Sequence, residues 1–363
     1  MAALLEENLQ HTQKDDALCL IEDPGPGDEF PVGWWIALYA RMIHQGWPKH
    51  AYAAKRRAAR LVIARQADRV RVKAPNEEVE LAQALIYDEQ YEMAERLLEA
   101  ADFKGWMKPE IRQARYLGKY LRLVNCPDSN PRLGRIRPKK GSAERRFFDL
   151  VNGKSVAVVG PAMTGQQDGP EIDSFDVVVR MNIVDATTIG QKPAETGTRT
   201  TVCYYNSTAE NRQHLKMMEL LAGKPFQYVV LRIRPPADRA AEYRAHVDYR
   251  VMGQTLYFFG ESPPLAVPRT IWDLARFGPA RIKLFNADFY TGAQRYTETY
   301  RTYDYNLAEG LSFHDLFQGY DFTARMFAAG VFEADGVLDA VLRLGMPAYL
   351  DRIEAAFGRE PPR

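Results

Sequence analysis

Two short apolar runs, SVAVVG at 155–160 and DVVVRM at 176–181, bracket a loop that carries Gly160, Gly165 and Gly169. Strands of continuous Val and Ala, without polar alternation, are buried on both faces, and such strands belong to sheets covered by helices on each side. The chain then continues through the polar TGTRTT of Thr196–Thr201. Backbone donors gather at the carboxyl ends of strands in an open α/β sheet. A strand, a glycine turn, an acidic turn and a second strand ending Arg180-Met181-Asn182 therefore predict an edge suited to a nucleotide.

The rest of the C-terminal half repeats the pattern. It predicts strands near 155–160, 176–181, 200–204, 227–233, 255–259 and 281–286, with helices over 208–222, 236–246, 269–277 and, in pieces, 320–355. The fold class is therefore α/β, a doubly wound sheet within 151–363. Upstream, apolar residues recur at helical spacing from Trp34 to Leu123, as in Trp35, Leu38, Tyr39 and Met42. This predicts an all-helical region over 30–125 whose first helix starts near Pro31. Within it, Glu80–Ala100 has the small-residue and aromatic pattern of a tetratricopeptide-like helix pair. Stable arrays need roughly three such units, so a bundle that packs on the sheet stands beside a repeat that grips a protein partner. Residues 1–29 end in EDPGPGDEF, whose prolines and glycines predict a loose leader.

A basic linker over 126–150 joins the two regions; within it Arg132, Arg135, Arg137, Lys139, Lys140, Arg145 and Arg146 stand against Glu144. It reads either as a solvated connector or as a patch at 132–146 for an anionic glycolipid or membrane surface. Over the whole chain, 48 Lys and Arg balance 47 Asp and Glu, which argues against a dedicated nucleic-acid binder. Cys19, Cys126 and Cys203 lie far apart with no metal-ligand spacing, and no eighteen-residue apolar run or secretory signal pattern occurs. A soluble protein of a reducing, cytoplasmic compartment is expected, peripheral to the inner membrane if the basic patch is used.

Several residue types carry chemistry. Gly160 lets backbone approach a ligand, and the Thr164 hydroxyl can bond a phosphate or ribose, while the loop lacks both Gly-x-Gly-x-x-Gly and the Walker pattern. Arg180 can pair with phosphate or carboxylate, or else with Asp173 or Asp176. Asn182 offers a donor and an acceptor at a strand end. Asp288, in NADFYTG, either meets a ligand at the last strand or caps the following turn. Asp-x-Asp, the pair that commonly holds a divalent ion against a diphosphate leaving group, is absent from the sequence. No metal or other cofactor is expected.

The ordered sub-motifs VVGPA (158–162), GPEID (169–173), RMN (180–182) and TGTRTT (196–201) resemble the large motif of the sialyltransferases, glycosyltransferase family 29. In that family an Asn-Ser pair follows the glycine and contacts the nucleotide; here Pro161-Ala162 stands there. Pro268-Arg269-Thr270-Ile271 is similar to the family's Pro-Ser-Thr-Gly, which would put Thr270 at a helix N-terminus facing a phosphate. Tyr303-Asp304-Tyr305-Asn306 and His314-Asp315 resemble the two remaining motifs, with the closing acid displaced and Asp321-Phe322-Thr323 at the place of the family's Asp-Phe-Glu. Animal members are Golgi-anchored and carry a disulfide; Val156 and Arg276–Gly278 occupy the corresponding places here, so the resemblance is to a bacterial-type relative without an anchor.

What the resemblance implies is a Rossmann-like glycosyltransferase domain (a GT-A-like variant) behind the helical region. It would move sialic acid or a related 2-keto sugar acid from a CMP-sugar to a glycan or glycolipid hydroxyl, with inversion and without metal. His314, with Asp315, would be the base, since imidazole can take a proton near neutral pH. The Gly160-Pro161-Ala162 loop, Thr164, Arg180, Asn182, Thr270, Asp288, Tyr303 and Tyr305 would hold the donor. Two alternatives stay open: a non-catalytic glycan- or partner-binding protein, and a transferase using another nucleotide sugar.

Overall fold

The computed structural model describes residues 30–67, 75–125, 136, 138–185, 191–206, 213–252, 256–292, 311 and 314–357. Five helices come first: α1 (Val32–His44), α2 (Pro48–Ala67), α3 (Pro75–Tyr87), α4 (Tyr91–Ala100) and α5 (Lys108–Asn125). Proline opens α2 and α3, where its fixed φ and missing N–H cost nothing. The inward stripe of α1 is Trp34, Trp35, Leu38, Tyr39, Met42 and Ile43, all buried, as the helical period requires. The expected helix pair over 80–100 is α3 and α4, joined through Glu89 at φ 64°.

Helix α6 (Ala143–Val151) occupies the end of the segment expected to be a linker. Ser142 caps it by accepting from the Arg145 amide at 3.1 Å, and Phe147 and Val151 are buried. The charges that made this stretch look like a connector are the outer face of an amphipathic helix. Then follow β1 (Ser155–Val159), α7 (Gly169–Ser174), β2 (Val177–Met181), α8 (Pro193–Thr196), β3 (Val202–Tyr205), α9 (His214–Ala222) and β4 (Tyr228–Leu231). The chain continues through α10 (Ala237–His246), β5 (Asp248–Val251), α11 (Ala266–Ala275), β6 (Arg281–Phe285), α12 (Leu316–Ala328), β7 (Glu333–Ala334), α13 (Gly336–Leu342) and α14 (Gly345–Phe357).

The strands form one sheet in the order β5-β4-β3-β2-β1-β6-β7, and every neighbouring pair is parallel. The winding runs outward from β1 to β5, then returns to start β6 on the other side of β1. Ligands of such sheets lie at the carboxyl ends near that reversal. Parallel connectivity also fixes helix direction, because each crossover must run back from the carboxyl edge to the amino edge. The N-termini of α11 and α12 therefore lie at the edge where the strands end.

Burial alternates along the strands. Val156 and Val158 join the large core that includes the N-terminal helices, α11 and α12, whereas Ala157 and Val159 pack with Ile172, Phe175 and Phe285 on the opposite face. A third cluster, built from Cys203, Tyr205, Val229 and Leu231, is covered by Met217, Leu221 and Tyr243 of α9 and α10. Helices thus cover both faces, as the unbroken Val runs demanded.

The helical region is tied to the sheet layer by polar as well as apolar contacts. Tyr91 and Tyr120 donate to Asp321 of α12 at 3.1 and 3.0 Å, and the Gln83 and Gln113 amides donate to the Tyr257 carbonyl at 2.9 and 2.6 Å. No helix among the described residues is long and apolar enough to cross a membrane.

The sheet differs from expectation at two places. The expected strand at 255–259 is absent over its described residues, which contribute only a bridge from Phe258 to Ser262, and Phe258 and Phe259 pack toward Phe322 and Tyr87. Strand β5, sequence DYRV, was not expected. Its buried residue is Arg250, ion-paired with Asp273 and placed over the rings of Phe147 and Phe277. A strand whose inward side chain is a neutralised arginine carries no hydrophobic signature.

Candidate functional site

Strand ends β1, β2 and β6 are shaped by three residues with unusual backbone. Gly160 follows β1, and a Cβ there would lie 2.3 Å from the Asn286 carbonyl oxygen. Asn182 and Asn286 adopt φ of 54° and 53°, the left-handed region that Asn tolerates better than most side chains. The Ala162 amide donates to the Asn286 carbonyl at 2.9 Å, and the Thr164 hydroxyl to the Asn286 side-chain oxygen at 2.9 Å. The loop 160–164 therefore lies against the loop after β6. Gly160 serves that close approach of two backbones, and Ala162 is buried; Pro161 is half-buried between them.

Other expected ligand residues are engaged within the fold. Arg180 is buried, and its guanidinium donates to Thr200 Oγ1 at 3.0 Å and to the carbonyls of Thr196, Gly197 and Arg199. Burial pulls its pKa down to about 10 against the opposing pull of Asp173. It clamps the 196–200 segment through three carbonyls and one hydroxyl, so these donors are engaged within the fold rather than on a phosphate. Asp288 accepts from the amides of Tyr290 and Gly292, both at 3.0 Å; of its two expected roles it performs the turn cap. Asn182 uses its side-chain oxygen to accept the Asn206 amide at 2.8 Å, and its amide nitrogen has no hydrogen bond among the described residues. Tyr303 and Tyr305 lie outside the described residues.

Thr270 does not stand at a helix N-terminus. Helix α11 begins at Ala266, with Pro268 inside its first turn, so Thr270 is in the second turn and buried. The expectation started the helix after the proline, whereas proline is tolerated in the first turn. The residue that this shift brings to prominence is Arg269. It is 5% exposed, and its buried Nε and Nη1 have no hydrogen-bond partner among the described residues. Burial and the nearby Arg232, opposed by Tyr257 and Asp273, lower its pKa to about 9, so it remains charged at neutral pH. Arg232 follows β4 at the carboxyl edge, is half-buried, and its side chain makes no ion pair among the described residues.

His314 completes this cluster. It precedes α12, and its Nδ1 lies 3.0 Å from the Pro263 carbonyl. A carbonyl can only accept, so the proton of the neutral ring sits on Nδ1 and the lone pair on Nε2. Burial pushes its pKa down, the Pro263 carbonyl opposes, and Arg269 and Arg232 push it down further, to about 4. Asp315 beside it is fully buried; it accepts the Gln318 amide at 2.9 Å and pairs with Lys55 of α2 at 2.6 Å. It therefore caps α12 and joins that helix to α2, and does not share a proton with the imidazole.

The arrangement is chemically specific. Two arginines lie close enough for Arg232 to act on Arg269, and Arg269 is buried with Nε and Nη1 lacking a partner among the described residues, a state that a bound anion would relieve. Beside them a histidine is held neutral in the tautomer of a base. Sequence reasoning missed Arg232, which the predicted strand at 227–233 included and the observed strand, ending at Leu231, leaves at the carboxyl edge. Among the described residues no group of His, Cys, Asp or Glu is placed to hold a metal ion. No family model matches the chain, and no curated protein matches it.

Proposed function

We propose that this chain is a Rossmann-like glycosyltransferase that moves a sugar acid, sialic acid or a related 2-keto acid, from its CMP donor to a glycan hydroxyl, with inversion and without metal. The observation that carries the reading is Arg269, buried with Nε and Nη1 unpartnered among the described residues, beside Arg232 and neutral His314. A CMP-activated sugar acid brings one phosphate and one carboxylate, so two arginines can balance it without a divalent ion. Asn182, with an uncommitted amide nitrogen at the end of β2, would bond the nucleoside. Nε2 of His314 would take the acceptor proton as the hydroxyl oxygen attacks the anomeric carbon; the bond from that carbon to the phosphate oxygen breaks and CMP leaves with the electron pair. The bound anion offsets the two arginine charges, which raises the basicity of His314 when substrate is present.

A second reading has its own support. The loop that grips the nucleotide in the resembling family is here closed onto the β6 loop through Ala162 and Thr164, which favours a binding protein on a transferase architecture. Titration calorimetry with CMP, UDP and GDP separates these. We expect CMP to bind preferentially, Arg269→Gln to weaken it at least tenfold, and His314→Ala to keep CMP binding while transfer falls about 10²–10⁴-fold. Absence of CMP binding overturns the transferase reading; CMP binding with unimpaired transfer in His314→Ala overturns the base.

A further inference from the structure

We propose that the outer face of α5 is a docking surface for an anionic phospholipid bilayer. Lys108, Arg112, Arg115, Lys119 and Arg122 follow one another at alternating steps of four and three residues along this helix, which places all five on one side of it. Lys108, Arg112, Arg115 and Arg122 are exposed and Lys119 is half-buried, while Ala114, Leu117, Tyr120 and Leu121 on the other side are buried. The one acid of the helix, Glu110, accepts the Met107 amide at 2.9 Å and so belongs to the helix start. Lys108, Arg115, Lys119 and Arg122 have no hydrogen bond or ion pair among the described residues.

The cationic face extends beyond the helix. Arg276, paired with the buried Asp273 at 3.6 Å, lies over the Tyr116 ring at 5.9 Å, and the Ile136 amide donates to its carbonyl at 2.9 Å. The chain of the basic linker thus meets the same face. Burial, Arg276, Arg122 and Arg115, in that order, lower the pKa of Lys119, as a field of one sign requires. In contrast, Arg145 and Arg146, which the sequence placed in the basic patch, are paired with Asp149 at 2.8 Å and Asp248 at 3.0 Å.

Such segregation in a chain of net charge +1 means the face, not the whole molecule, attracts an anion. Met107, 63% exposed at the start of the row, and the half-buried Phe103 and Trp106, whose rings lie 5.1 Å apart, add an apolar end. Row and apolar end together match a leaflet, where phosphates meet cations and a thioether or ring enters the headgroup boundary.

The test is sedimentation of the full chain with vesicles of phosphatidylcholine alone or mixed with phosphatidylglycerol. We expect binding to the mixed vesicles only, weakening as salt rises. Each cation near an anionic leaflet contributes roughly a factor of five, so Lys108→Gln/Arg115→Gln/Arg122→Gln should bind about a hundredfold less. Lys216→Gln/Lys224→Gln/Arg244→Gln, with the same loss of charge elsewhere on the surface, should bind as the parent does. Equal loss in both variants, binding to neutral vesicles, or displacement from the mixed vesicles by stoichiometric duplex RNA each overturns the proposal.

Discussion

Asp173 accepts hydrogen bonds from the amides of Thr198 and Arg199 and from the Thr198 hydroxyl, at 2.8 to 3.0 Å. Arg199 in turn donates to the carbonyls of Asp173, Phe175 and Asp176. Together with the Arg180 clamp, these bonds tie three of the sub-motifs read from the sequence into one knot, so most of that motif was legible as a pattern while its physical role was scaffold. Of the residues left for a ligand, Arg269 stood out in the sequence only as one residue of the Pro268–Ile271 motif and Arg232 not at all, because nothing local distinguishes an arginine that lacks a partner from one that has it. His314 joins the two levels. Its folded pKa of about 4 lies below the 6.5 of the unfolded chain, so the unfolded state binds the extra proton between those values. The stabilising effect is complete above about pH 6.5 and is lost as pH falls toward 4, by up to about 3 kcal/mol. Arg269→Gln removes one of the two repelling cations and should raise the His314 pKa, narrowing that window. Side-chain histidine NMR across pH 3–8 reads this directly, and an unchanged His314 titration in the variant would show that the arginine does not act on the ring.

Helix α12 begins at a junction of three elements. Asp315 caps it, Lys55 of α2 neutralises the cap, and the Lys55 ammonium also bonds Ser262 Oγ at 3.2 Å and lies 4.6 Å from the centre of the Tyr39 ring. Both charged groups are buried, with side-chain exposures of 1% and 0%. Removing one partner leaves a charge with no water to receive it, so Lys55→Met should cost about 3–5 kcal/mol. The double variant Lys55→Met/Asp315→Asn should recover most of that loss, because an amide can still accept the Gln318 amide. Urea unfolding of the two variants measures the difference, and equal losses would mean that the pair is not coupled. At this scale the sequence was informative wherever periodicity ruled: α1 to α5 follow from the apolar stripe, and β1, β2, β3, β4 and β6 from short runs rich in Val, Leu or aromatic residues. It failed where a charge faces inward, as in β5, and where a proline sits inside a helix start, as in α11. Arg250 is stable there because Asp273, twenty-three residues further on, neutralises it, and Pro268 because the first turn of a helix needs no N–H from it.

For the molecule as a whole, the largest core cluster runs without interruption from Trp35 and Leu85 through Leu316 and Phe322 to Val156 and Val179. The helical region therefore has no separate core facing the sheet layer; its inner side chains and those of α12 bury one another. The ion pair of Lys55 with Asp315 and the bonds of Tyr91 and Tyr120 to Asp321 cross the same boundary, and their donors and acceptors would be stranded if the two parts separated. A shared core and shared polar contacts predict one cooperative transition rather than two. Of the five tryptophans, Trp34, Trp35, Trp47 and Trp106 lie in the helical region and Trp272 in α11. In a Trp272→Phe variant, fluorescence then follows the helices alone, while hydrogen exchange of the Val156–Val159 amides follows the sheet. We expect the two urea midpoints to coincide, and Lys55→Met to move both by the same amount although Lys55 touches no strand. A helical signal lost at lower urea than the strand amides would mean that the contacts across α12 are weaker than the folding energy of the sheet, and that the site formed by Arg269 and His314 can stand without the helices behind it.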